Sequence, residues 1–519
     1  MSALRLPNHN QAADEPLWRS FWLCLIAAFG LRLLFISNDD VYRADEVFQY
    51  LEQAHRLVFG SGHVMWEQRL GMRTPLIYLP AAAILQLLKA TGFEHPDFYI
   101  PVIKIFNILC SLILPAGMYI ISRRLYSEQT ARLALFTGII WHEFLYFSTR
   151  TLPELYATYL LFAALIFFSS NANWLRAATT GLLIGLAVAV RVPYAPPAAL
   201  LAFILLLSFS TARAQRNFII GGIVALLLWG AVDAIFLGSP WLSMINYFRV
   251  YVLAPNEVAQ VRLQIDGDPF LYLKHLTKNS FLLFPLVFAI GCFFWRRHKI
   301  LIALIIAVVL PHVHQISLTE SYIFLASPFF LILLADIASK KRLRVIVISS
   351  VFLISAIFII GMPHISNGLL FKKSPFIETN RRLSRQPEND VRSVYWTRLG
   401  NFNYNMLAPG GYYYFHHKAP VFFEIYSQHQ KLFQAAEMSL QQAFSHVILD
   451  SYADISGFHL ISSYRGIYIY RNNDPQQVTP PNDYIYDYFS PHWYPAEKKI
   501  IELGIIPQPP LTPFVAEEK

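Results

Sequence analysis

Eleven apolar runs of membrane-crossing length constrain this chain more than any single motif in it. They lie near 17–37, 100–122, 131–148, 155–170, 174–190, 193–210, 217–237, 280–295, 299–316, 321–337 and 344–363. Within a bilayer every backbone amide must be bonded inside the protein, so runs of this kind specify helices packed side by side. Composition agrees: the 519 residues are 55% hydrophobic and only 14% charged, outside the range of ordinary soluble proteins. The net charge of +9 is gathered into short Lys/Arg clusters between the apolar runs, which suits the positive-inside rule and argues against a nucleic-acid partner. Cys24, Cys110 and Cys292 all fall inside apolar runs without ligand spacing, and read as small core residues. The first run lacks a small-residue cleavage site and is read as a retained first helix.

Charge parity orders the loops. A further apolar stretch, 75–91, is of borderline length. If it does not cross, then Arg123-Arg124, Arg213/Arg216, Arg296-Arg297-His298-Lys299 and Lys340-Lys341-Arg342-Arg344 share one side. If it crosses, the later clusters flip outward, against the positive-inside bias. The expected topology therefore has eleven crossings and an inner N-terminus, with 75–91 a surface or re-entrant segment. Loops 38–99, 148–154, 191–193, 238–279 and 316–321 then face outward and carry carboxylates, aromatics and isolated arginines. Binding and catalytic groups gather on loops held by a rigid scaffold, so chemistry is expected on that face.

Residues 1–363 thus form a transmembrane module, and 364–519 differ in composition. The tail is rich in Tyr, Phe, His, Pro and Asn, and its runs His446–Leu449 and Gly466–Tyr470 alternate as strands do. It is read as an extracytoplasmic α/β domain, ending in an extended Pro-rich stretch at 505–510. His416-His417 lacks Cys or carboxylate partners at ligand spacing and is read as a packing or surface pair.

The sharpest constellation follows the first run. Asp45 and Glu46 are adjacent carboxylates where membrane meets water. From Val47, apolar residues recur at Leu51, Ala54 and Val58, with Gln49, Glu52, Gln53 and Arg56 opposite. An amphipathic helix so placed is expected to lie in the interface plane. Asp45 at its head has two readings: a helix N-cap, or a general base held at a water-accessible face.

Asp45-Glu46-Val47-Phe48-Gln49, Glu52, Ala54-His55, Phe59-Gly60-Ser61-Gly62, Trp66-Glu67 and Arg73 together resemble the first outer loop of the family 22 mannosyltransferases, enzymes of the GT-C fold. The resemblance continues in order. Thr149-Arg150-Thr151-Leu152-Pro153 is similar to the family's second-loop segment, and Arg191-Val192-Pro193 to its later arginine–proline step. Asp233–Gly238 with Trp241–Phe248, and Ser321–Pro328, resemble two later segments. Departures are Arg43-Ala44 where the family has His-Pro, Glu154 and Ala157 after the second-loop segment, and Leu318-Thr319-Glu320 before the last one. They mark a divergent member, of a kind a bacterium could carry.

The resemblance implies a polytopic GT-C glycosyltransferase with interfacial helices in loop 38–99. Its reaction would be an inverting transfer of a sugar, mannose first, from a polyprenyl-phosphate donor to a hydroxyl of a glycan or glycolipid. That reaction needs a carboxylate to take the hydroxyl proton and cations for the leaving phosphate. Asp45 is then the expected base, Glu46 its orienting partner, and Arg150 and Arg191 the phosphate contacts. Trp66, Glu67, Arg73, Glu154 and Glu320 are candidate cleft or acceptor residues. For the arginines a snorkelling or helix-end role stands beside the functional one, and for Trp66 an interfacial anchor. No cofactor and no obligatory metal is expected, although Asp39, Asp40, Asp45 and Glu46 together have the composition of a metal site. The expected setting is a multi-pass protein of a bacterial inner membrane or the endoplasmic reticulum, acting on the outer or lumenal face. Two other readings are a GT-C transferase of aminoarabinose or a hexose, and a transporter or flippase. The chain shows no internal repeat, and its charges sit at loop edges, which disfavours the last.

Overall fold

A computed structural model describes residues 15–38, 45–62, 64–253, 271–280, 282–312, 320–339, 341–361, 393–396, 413–414, 421–423, 445–449, 452, 454–464 and 467–474. Helices occupy each of the eleven apolar runs. Among the described residues, three are long and apolar enough to cross a membrane by length and composition: Pro96–Leu125, Ala212–Leu237 and Leu343–Ile360. Other apolar helices have 10–17 residues, short of the roughly 20 that a bilayer core requires of one straight helix. The expected count of eleven crossings therefore exceeds what helix length alone establishes. The borderline stretch forms a short turn, Pro75–Ile77, and the 12-residue helix Leu79–Ala90, which rises only about 18 Å.

The helix Ala326–Ile337 runs through the centre, and every side chain from Ala326 to Asp336 is buried. Peripheral helices are apolar on their outer surface as well. Ile219, Ile223, Leu227 and Ile235 of Ala212–Leu237 are exposed, and so are Val345, Ile346, Phe352 and Leu353 of the last long helix. Such continuous apolar exposure is stable against lipid and not against water. Where helices pack tightly, small residues allow it. Trp174–Val190 and Ala212–Leu237 meet at Gly181 and Gly221, where a Cβ would lie 1.9 Å from the carbonyl oxygens of Phe218 and Ala178. Gly181/Gly185 and Gly221/Ala225 make the small-xxx-small spacing that brings membrane helices into backbone contact.

The described part of 364–519 contains five strands: β1 (Ser393–Trp396), β2 (Val421–Phe423), β3 (His446–Leu449), β4 (Phe458–Tyr464) and β5 (Ile467–Asn472). They form one sheet in the order β2-β1-β3-β5-β4. β1 pairs in parallel with β2 and β3, aligning Val394 with Val421 and with Val447. β3 and β4 flank β5 antiparallel, with a register shift at Leu460/Ser462. The strands expected at His446–Leu449 and Gly466–Tyr470 are observed as β3 and β5. His416-His417, the Pro-rich stretch at 505–510, Arg43-Ala44 and Leu318-Thr319 lie outside the described residues.

Candidate active site

The first run's helix, Glu15–Leu33, ends in a turn through Asn38, and the chain is next described at Asp45. Asp39 and Asp40 lie outside the described residues. Glu46–Leu51 forms a wide helical turn in which the Glu52 amide bonds back to the Val47 carbonyl, five residues earlier. Such turns are rare and concentrate at functional sites. Here two side-chain amides hold it open: Gln53 Nε2 donates to the Phe48 carbonyl at 2.8 Å and Gln68 Nε2 to the Gln49 carbonyl at 3.1 Å. The regular helix Glu52–Phe59 follows and stops at Gly60, whose φ of 81° lies in the left-handed region that glycine supplies.

Two expectations are corrected here. The Asp45 carboxylate makes no helix-capping hydrogen bond; instead its Oδ1 accepts from Gln49 Nε2 at 3.2 Å. The polar side of the helix does not face water either. Gln49, Glu52 and Gln53 are buried, because Gln68 and the distant residue Tyr413 close over them. The polar stripe had the spacing of a solvated face, yet tertiary partners satisfy it.

Glu46 is also buried. Its Oε1 accepts the Thr151 amide at 3.1 Å, and Oε2 lies 3.5 Å from Arg150 Nη1. Arg150 is placed by the turn Phe147–Thr149, stacks 4.7 Å over the Tyr146 ring, and reaches Asn38 Oδ1 at 3.5 Å. Asn107 secures that turn by donating to Thr151 Oγ1 and the Thr149 carbonyl. Pro153 then occupies the first turn of helix Pro153–Phe167, with Glu154 beside it at the positive end of the helix dipole. Glu154 Oε1 binds Arg191 Nη2 at 3.0 Å. Arg191 terminates helix Trp174–Val190, where a cation suits the dipole, and stacks 4.5 Å over Tyr322. Glu154 Oε2 and Arg191 Nε are both buried without a hydrogen-bond partner among the described residues.

The Glu67–Arg73 pair is a third ion pair: Arg73 Nε and Nη2 reach the two carboxylate oxygens at 3.1 and 3.0 Å, and the Tyr251 hydroxyl donates to Glu67 Oε1. Burial by itself disfavours the Arg73 charge, and Glu67 more than offsets it, so the guanidinium is held protonated well above its ordinary range. Glu154 does the same for Arg191. These pairs converge. Tyr50 lies within electrostatic reach of Arg73, Glu154, Arg191 and Asp45, and Tyr247 of both arginines. Burial raises both hydroxyls above their usual range while the arginines act in the opposite sense, leaving them neutral donors beside the arginines.

The segment after Ala212–Leu237 braces this arrangement. Asp233 Oδ2 accepts from the Ser243 amide and hydroxyl at 2.9 and 2.6 Å, and Asn246 Nδ2 donates to the Leu70 carbonyl at 2.8 Å. That bond fixes helix Leu242–Phe248, hence Tyr247, against the Arg73 segment.

Of the residues expected from sequence, Asp45, Glu46, Glu67, Arg73, Arg150, Glu154 and Arg191 come together in one region. The backbone of Trp66 opens the short helix Trp66–Arg69 and that of Glu320 opens Glu320–Ile323; their side chains lie outside the described set. The sequence reading missed Tyr50, Tyr247, Tyr251 and Tyr322, which carry no spacing signal. It also missed Lys104, which is buried and donates to the Ile36 and Asn38 carbonyls at 2.8 Å each. A lone lysine in the apolar run 100–122 was the available clue, since an intramembrane charge is kept only with a partner.

Solved structures share this architecture. ArnT from Cupriavidus metallidurans in the apo state superposes with a TM-score of 0.57 over 89% of this chain and 100% of that one, at 10% identity. The same protein bound to undecaprenyl phosphate gives 0.56 over 90% and 100%, at 9% identity. The fold is thus that of the GT-C glycosyltransferases. The signature of the Alg9-like mannosyltransferase family matches residues 21–395, and the chain belongs to that family. Among curated relatives, GPI alpha-1,2-mannosyltransferase 3 of Bos taurus is 30% identical over 220 residues, 40% of this chain and 39% of the relative. GPI mannosyltransferase 3 of Yarrowia lipolytica is 28% identical over 240 residues, 44% and 46% of the two chains. The chain thus matches less than half the length of these relatives.

Proposed function

We propose that this protein is a membrane glycosyltransferase that moves mannose from a polyprenyl-phosphate donor to a hydroxyl of a glycolipid or glycan, with inversion at the sugar carbon. The observation that carries the reading is the convergence of Asp45, Arg73, Glu154 and Arg191 around Tyr50, from four separate segments. The family supports the sugar, and the names of the GPI mannosyltransferase relatives support a glycolipid acceptor. The undecaprenyl phosphate bound to ArnT, a protein of the same fold, supports the donor class.

In this mechanism Asp45, the least buried carboxylate of the cluster, takes the proton of the acceptor hydroxyl as that oxygen attacks the sugar carbon. The carbon–oxygen bond to phosphate breaks on the opposite face, and the electron pair leaves with the lipid phosphate. Arg191 and Arg73 stabilise the growing phosphate charge, with the Tyr50 and Tyr247 hydroxyls as neutral donors. Arg150 adds positive charge there while holding Glu46, which orients the loop. The Glu154 and Arg191 atoms left without partners among the described residues are available to a substrate. Glu67 serves the acceptor side, and Trp66 and Glu320 are proposed to act there on the family resemblance alone. Eleven crossings would place this cleft on the outer or lumenal face of the membrane, with residues 364–519 as an extracytoplasmic α/β domain above it.

The test supplies purified protein with polyprenyl-phosphate-linked mannose, glucose and aminoarabinose, each with a glycolipid acceptor, and measures release of polyprenyl phosphate. Release with mannose alone is the expected outcome. Release with another sugar would replace the donor, and transport without release would replace the reading by a flippase.

A further inference from the structure

Glu52 has no exposed surface, lies six residues beyond Glu46, and the mechanism leaves it unused. Its Oε1 accepts the backbone N–H of Tyr413 at 2.6 Å, from 361 residues further along the chain. The Tyr99 hydroxyl donates to the Tyr413 carbonyl. Both backbone polar groups of Tyr413 are therefore bonded to side chains of the 38–99 segment and its adjoining helix. The Tyr413 and Tyr99 rings pack with centroids 5.3 Å apart. Tyr413 and Tyr414 are buried in one apolar cluster with Val47, Phe48, Leu51 and Ala54. The first three of those residues belong to the wide turn that begins with Glu46.

A wide turn lacks the normal helical ladder and persists only where its surroundings over-determine it. Relaxing to a regular helix shifts the register by one residue, which rotates Glu46 by about 100° relative to Glu52. That rotation would carry Glu46 away from Arg150 and the Thr151 amide. Gln53 and Gln68 hold the turn's carbonyls, whereas its apolar side packs in a cluster that Tyr413 and Tyr414 share with Tyr78, Leu85 and Ile103. We propose that Tyr413-Tyr414 is a strap by which the C-terminal segment fixes the Asp45-Glu46 turn, with Glu52 and Tyr99 as positioning residues. Docking of the C-terminal segment then becomes a condition for catalytic geometry. The consequence for transfer rests on the proposed function, whereas the strap itself does not.

The experiment compares hydrogen exchange and transfer kinetics in full-length protein, wild type against Tyr99→Phe, Glu52→Leu and Glu52→Gln. Loss of one hydrogen bond at a buried carboxylate corresponds to about 10-fold faster exchange over residues 46–52. Glu52→Leu should show this change, with exchange in 174–190 and 212–237 unaltered. kcat should fall by about the same factor while KM for the donor stays constant. Glu52→Gln keeps an acceptor oxygen and should restore most of both. Tyr99→Phe, which removes a single oxygen, should give a smaller change of the same kind and decides the matter if Glu52→Leu does not fold. Unchanged exchange over 46–52 in Tyr99→Phe and in any folded Glu52→Leu overturns the strap. So does a Glu52→Gln protein as inactive as Glu52→Leu with wild-type exchange, because the charge and not the strap would then matter. If wild-type protein transfers no sugar, the functional reading fails and the exchange measurement still decides the strap.

Discussion

Two carboxylate–arginine clusters sit at the two ends of the central Ala326–Ile337 segment, and they are built differently. At one end Asp336 binds Arg297 at 2.7 Å, with Thr130 and His298 beside it, but the Arg297 side chain is 60% exposed. At the other, Arg191 binds Glu154 at 3.0 Å with both side chains about 5% exposed, and Tyr322 covers the guanidinium. Here water solvates the guanidinium but not the Asp336 carboxylate, whose side chain is 3% exposed and is shared with Thr130, so only one of the two charges is desolvated. A buried pair carries a desolvation penalty that apolar residues would avoid, so it is weak evidence of stability. What burial does provide is a charge of fixed position in a low dielectric, where it acts strongly on a developing charge. The cluster around Tyr50 has that character three times over, and the Asp336 cluster does not.

The largest expected effect that would separate the two ends is at the base. Asp45→Asn should lower polyprenyl-phosphate release by about 10²–10⁴-fold, with expression and membrane insertion unchanged. Near-wild-type turnover would remove Asp45 from the chemistry. Next comes Arg191→Ala, which strands Glu154 as a buried charge and should reduce stability by about 3–5 kcal/mol. Thermal unfolding in detergent reads this, and an Arg191→Leu/Glu154→Leu double variant should recover most of the stability but none of the transfer. Recovery of transfer as well would make the pair purely structural. A smaller effect tests the scaffold that carries Arg191. Gly221→Val drives a side chain into the Ala178 carbonyl, and overpacking of this kind should lower stability by about 1–3 kcal/mol. An unaltered melting temperature would mean that the two helices do not pack this closely. The smallest change in transfer is expected at the opposite end. Arg297→Ala leaves the buried Asp336 with Thr130 and His298 and should lower stability by about 1–3 kcal/mol, while leaving transfer intact. Loss of transfer there would erase the distinction between the clusters.

Part of the site was legible because it is local. Asp45-Glu46 and the apolar positions after it stand in one short stretch, and Pro153 and Gly60 announce helix boundaries by their own backbone restrictions. The helical runs were legible because lipid imposes the same rule on every residue of a run. The partners were not. Glu46 meets Arg150 and Thr151 across more than 100 residues, and Glu52 meets Tyr413 across 361. Neither pairing leaves a spacing in the chain. The stripe Gln49, Glu52 and Gln53 misled for the same reason: helical periodicity reports which residues share a face and not what covers it.

The amino-acid order by itself determined that this chain is a bundle of apolar helices, where the breaks between them fall, and which stretch carries paired carboxylates. Those properties follow from hydrophobicity and backbone chemistry, which act over a few residues at a time. Only the tertiary structure decided that the turn after Asp45 is wide, that Arg73 and Arg191 are held protonated by buried carboxylates, and that tyrosines from three segments line the space between them. These depend on long-range neighbours that replace water as the solvent of each charge, and such neighbours exist only once the helices have packed.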